Sequence, residues 1–152
     1  MLLLLQISRT REGAGSLLDA GLVSVIRDSA LFVADPDLGI SIPNNTTNGS
    51  STTSALNFAA AAHSALQTYY ALISSTLRLL LSTFMSRGVQ NEQIQYLTRA
   101  FLADYRPHMV GIFKKYAGVN GKVDEKSRPL LAESVRCYTA LASLSGFVDV
   151  SF

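Results

Sequence analysis

ALNFAAAAHSALQTYYALISSTLRLLLSTFMSR (Ala55–Arg87) is the stretch on which the fold turns. Leu66, Tyr70, Ile73, Leu77, Leu80 and Phe84 recur at steps of four, three, four, three and four, one continuous helical stripe. Beside it runs a second stripe, Tyr69, Leu72 and Leu79, with Thr76 and Thr83 interleaved. Only Ser64, Thr68, Ser75, Arg78 and Ser82 mark a narrow polar side. A helix apolar over most of its circumference must be covered by neighbours on at least two sides, as an inner helix of a stacked array is. Ala55 to Leu77 carries no formal charge and is long enough to span a bilayer. Its Asn57, His63, Ser64, Gln67, Thr68, Ser74, Ser75 and Thr76 are too polar for lipid on all sides, and the pattern runs on through Arg78. A buried helix of a soluble domain is the reading.

Upstream, Ser41 to Ser54 (SIPNNTTNGSSTTS) has almost nothing to bury, and we expect a mobile loop over 41–54. Its three N-x-[S/T] sequons at Asn44, Asn45 and Asn48 are read as chance products of composition and unglycosylated. Asp35-Pro36-Asp37 and Gly39 stop the helical pattern before it, because Pro36 lacks an N–H and restricts the residue ahead of it. Gly13 to Phe32 (GAGSLLDAGLVSVIRDSALF) predicts a short helix over Leu17, Leu18 and Ala20, a corner at Gly21, and a helix through Leu22, Val25, Ile26 and Ser29. Gly21 supplies the positive φ that such a corner needs. Leu2 to Arg9 is a first helix. Met1 to Ile7 resembles a signal peptide only superficially, since a basic start is missing and Arg9 and Arg11 stand where small residues would.

Downstream, Gly88 ends the long helix and Asn91 caps the next, Glu92 to Arg106, with Ile94, Leu97, Phe101 and Tyr105 as its stripe. Pro107 opens a fresh helix carrying Val110, Phe113 and Tyr116, which stops at Gly118. Asn120-Gly121 is a turn and KVDEKS (Lys122–Ser127) a charged connection. Ser127 is expected to cap a last helix with Leu131, Val135, Tyr138 and Leu141, ended by Gly146. No stretch reads as a strand. The fold class is therefore all-α. Residues 1–152 form a single helical segment, read as a HEAT/armadillo-like solenoid slice, with a small closed bundle as the alternative.

The whole chain has 152 residues, 48% hydrophobic and 16% charged, a net charge of +2 and one cysteine. Such a composition excludes general disorder and a disulfide framework, and points to no polyanionic partner by itself. His63 and His108 are the two histidines; with Cys137 they are the donors for a conceivable zinc site, but no ligand spacing supports one. Cys137, set among Leu130, Val135 and Leu141, reads as a small core residue rather than a nucleophile. Asp35 and Asp37 read as a turn more than a cation site. No nucleophile elbow, phosphate loop or paired carboxylate appears, so no catalytic, cofactor-binding or metal residue is assigned and the chain is not read as an enzyme. From Arg106 to Arg128, six bases (Arg106, Lys114, Lys115, Lys122, Lys126, Arg128) face two acids (Asp124, Glu125), a local balance of +4. With Tyr105, Phe113 and Tyr116 interleaved this is a candidate nucleic-acid surface, but a solvated face is the commoner meaning of such a run.

Thr10 to Phe32 with Asp35-Pro36-Asp37, then Ser86-Arg87-Gly88, Gln90-Asn91, Phe101-Leu102, and Arg106 through Met109-Val110 to Phe113-Lys114-Lys115 and Ala117-Gly118 together resemble the C-terminal part of the large inner-ring scaffold nucleoporins of the 192/205 family. The likeness covers nearly the whole chain in order, apart from 41–54. It implies a non-enzymatic HEAT/armadillo-type solenoid without cofactors, placed in the nucleus at the nuclear pore complex. Its partners would be other scaffold and linker nucleoporins, with no small-molecule substrate and no membrane insertion. It also implies that this chain is a fragment of a longer protein, cut inside its first helix. The matching residues look architectural: Gly13 and Gly21 at corners, Leu17, Leu18 and Leu22 in the core, Arg87-Gly88 at a helix end. No partner-binding residue is carried over. A slice of this kind would expose apolar ends, Leu2 to Leu5 and Phe147 to Phe152, and would be marginally stable or self-associating. A mobile transport receptor or adaptor of the same repeat type, and a small nucleic-acid-binding domain, are the alternatives.

Overall fold

The computed structural model describes residues 1–33, 52–119 and 123–146, with side chains from residue 61 onward in the second of these segments. Among the described residues there are seven helices and no strand: α1 (Leu2–Ser8), α2 (Arg11–Asp19), α3 (Leu22–Asp28), α4 (Thr52–Arg87), α5 (Glu92–Asp104), α6 (Arg106–Tyr116) and α7 (Arg128–Leu144). The all-α class follows directly. α4 starts at Thr52, three residues before the expected Ala55, so Thr52–Ser54 are helical. The rest of the 41–54 stretch, Asp35-Pro36-Asp37, the three sequons, Asn120 to Lys122 and Phe147 to Phe152 lie outside the described residues.

α4 is the spine. α1 and α2 cover one side of it and α7 another, while α5 and α6 pack on α7 and α5 also reaches α4. The stripe read from the sequence is the buried one: Tyr70, Ile73, Leu77, Leu80 and Phe84 are all at most 1% exposed, with Leu66 partly buried beside them. Burying such side chains contributes about 1.5–3 kcal/mol each relative to leaving them in water. The second stripe divides. Leu79 is buried, but Leu72 is 45% exposed and is no core residue. It lies ten residues, about 15 Å along the axis, before Ser82, where α1 touches α4.

Local chemistry sets the helix ends. Thr10 is extended (φ −102°, ψ 149°) and its Oγ1 accepts from the Gly13 amide at 3.0 Å, capping α2. Asn91 Oδ1 accepts from the Gln93 and Ile94 amides at 3.0 and 3.3 Å, as expected of a cap for α5. Gly21 turns α2 into α3 with φ 84°. Gly13, by contrast, stands inside α2 rather than at a corner: a Cβ there would lie 2.1 Å from the Ile7 carbonyl oxygen, so its role is to let α2 close on the end of α1. The companion of that close approach is Ala14, fully buried, while Leu17, Leu18 and Leu22 are only partly so. Ser127 does not cap α7. Its backbone is helical (φ −82°, ψ −24°), which turns Oγ away from the helix amides, and Pro129 in the first turn has no N–H to offer. Ser127 Oγ is left buried without a hydrogen-bond partner.

The face of α6 also differs from expectation. Val110 and Tyr116 are 37% and 41% exposed, Phe113 is partly buried, and the core positions are His108 and Ile112. Ile94, Thr98, Phe101, Tyr105, His108 and Ile112 form one buried stripe with steps of four, three, four, three and four, carried straight across the break between α5 and α6. Two of its members are polar, which is why an apolar count misses it.

Candidate functional site

The donors that could have made a zinc site are not brought together. His63 is exposed on α4, whereas His108 and Cys137 are buried on α6 and α7. Among the described residues no group of three or more His, Cys, Asp or Glu could hold a metal ion. Burial pushes the Cys137 thiol up to about 11, with the Glu133 carboxylate adding to the effect, so the thiolate a nucleophile needs is suppressed. Arg78 and Arg136 each stand 3.6 Å from Glu133 on the surface.

The described molecule's most connected polar centre is His108. Its Nδ1 lies 2.7 Å from Tyr138 Oη on α7, and its Nε2 lies 3.0 Å from Tyr69 Oη on α4. Tyr69 Oη in turn donates to the Leu31 carbonyl, just beyond α3, at 3.4 Å. These contacts fit an assignment in which Tyr138 donates to Nδ1, Nε2–H donates to Tyr69, and Tyr69 donates to Leu31. The imidazole is then neutral with both nitrogens satisfied. Burial lowers its pKa to about 4, in the direction that desolvation of a cation dictates. Burial likewise raises Tyr138 well above the ordinary phenol range, with the neighbouring tyrosines Tyr69 and Tyr105 reinforcing the shift. With no lone pair left over, His108 is no metal ligand as it stands.

Aromatic rings surround this chain. Phe32 sets its edge against His108 (centroids 5.2 Å apart, planes at 80°) and against Phe101 (5.4 Å, 83°), and touches Tyr105 at 5.3 Å. Phe113 meets Tyr138 edge-on at 6.3 Å. Each such pair adds about 0.5–1.5 kcal/mol beyond area burial. The cluster therefore locks the exit of α3 to α4, α5, α6 and α7 at once. What it does chemically is hold helices in place; no side chain in it presents a reactive group to solvent.

The outer surfaces carry the remaining candidates. In the basic run, Arg106, Lys114, Lys126 and Arg128 are exposed and Lys115 is partly buried, whereas Tyr105 is core and only Tyr116 of the three aromatics is open. A stacking platform of interleaved aromatics is thus not what the fold makes of them. α1 presents an apolar face: Leu2 and Leu3 are 81% and 72% exposed, with Met1, Leu4 and Ile7 beside them, while Ser8 on its inner side bonds Ser82 of α4 at 2.8 Å. No helix among the described residues is long and apolar enough to cross a membrane.

Comparison with known proteins gives the ordered likeness a definite address. The family model described as "Nuclear pore complex scaffold, nucleoporins 186/192/205" matches residues 1–145. Nucleoporin NUP192 of Chaetomium thermophilum is 32% identical over 121 residues, which is 80% of this chain and 6% of that relative's length. No solved structure matches the chain at a significant level.

Proposed function

The chain belongs to the nuclear pore complex scaffold family of nucleoporins 186/192/205, and on that premise we propose that it is one slice of an inner-ring α-solenoid, non-enzymatic, which holds segments of linker nucleoporins. The observation that carries this reading is the family match over residues 1–145 laid on a helix array whose spine, α4, is covered from two sides. In a solenoid each repeat buries its neighbours, and terminal faces stay apolar until the next repeat covers them. The exposed leucines of α1 fit a face that a preceding repeat covers in the longer protein. A buried, neutral, fully bonded polar centre with no solvent-facing reactive group fits architecture rather than catalysis.

The test is crosslinking and recovery from nuclear-envelope extract of the full-length protein that contains this chain. Pore scaffold and linker proteins recovered after nuclease treatment, and lost on Leu79→Asp in the α4 core, support the scaffold. Soluble cargo recovered by a protein that exchanges rapidly at the nuclear rim points instead to a carrier of the same repeat type. Recovery of nucleic acid that weakens steeply with salt overturns both and favours the basic run of Arg106 to Arg128.

A further inference from the structure

We draw no further inference here: the strongest candidate, the uncharged surface patch on α4 where Ala61, Ala65, Thr68 and Leu72 stand exposed at helical spacing, carries nothing because nothing in the structure shows what covers it.

Discussion

α4 is gripped differently on its two sides. Toward α5, α6 and α7, large side chains (Tyr70, Ile73, Leu77, Leu80 and Phe84 with Tyr138 and Leu141) merge into one cluster. Toward α1 and α2 the contacts are small and close: Ser8 on Ser82 at 2.8 Å and the Arg87 guanidinium 3.2 Å from where a Gly15 Cβ would stand, with α1 and α2 themselves closed on each other through Gly13 and the Ile7 carbonyl. The first side is held by apolar area and the second by fit. The lesson is that substitutions of opposite kind break them: loss of volume damages the large-residue side, and gain of volume damages the other.

The largest effect should come from Leu141→Ala, which opens a cavity on the α7 side and is expected to cost about 2–5 kcal/mol in urea denaturation. A loss under 1 kcal/mol would mean that this side relaxes and is no rigid core. Next is Gly13→Ala. Within a helix this change ordinarily stabilises by about 1 kcal/mol, but here its Cβ meets backbone 2.1 Å away, so a loss of about 1–3 kcal/mol is expected. A gain in melting temperature would show that the close approach of α1 and α2 is not tight. Third come the two caps, one on each side: Thr10→Ala and Asn91→Ala should each cost about 1 kcal/mol, and the comparison is sharpened if loosening of α1 follows only the former in exchange measurements. Smallest in stability is Leu2→Gln with Leu3→Gln on the open face of α1, within about 0.5 kcal/mol. Sedimentation should nevertheless show less self-association, and an unchanged association state would place the sticky surface elsewhere.

How well the two sides could be read in advance differs for the same reason. The stripe of α4 and those of α5 and α7 are legible because apolar side chains repeat at helical spacing, and the ends at Gly21, Gly88 and Asn91 are legible because backbone chemistry dictates them. Leu72 shares the apolar stripe yet stays exposed, because a helix apolar nearly all round does not say which arc its neighbours leave bare. Ser127 has the residue type of a cap but not its backbone, because residue type is visible in sequence and φ and ψ are not. His108 is illegible as a core residue for a subtler reason. It occupies the right register, three residues after Tyr105 and four before Ile112, but a titratable side chain is core only if its polar atoms are met, and Tyr69 and Tyr138 lie 39 and 30 residues away. The ordered motifs pointed to the scaffold nucleoporins without locating any binding residue, since architectural positions dominate them.

The sequence by itself determined that this chain is helical, where its long spine lies, which stripe of that spine is buried and which family it belongs to. All of these rest on local periodicity, backbone preference and ordered residue identity. Only the tertiary structure decided that Gly13 is a contact rather than a corner, that α6 turns His108 inward and Val110 outward, and that Leu31 and Phe32 close over a neutral imidazole. These depend on groups distant in the chain meeting within a few ångströms, and such meetings leave no periodic trace in the residues that make them.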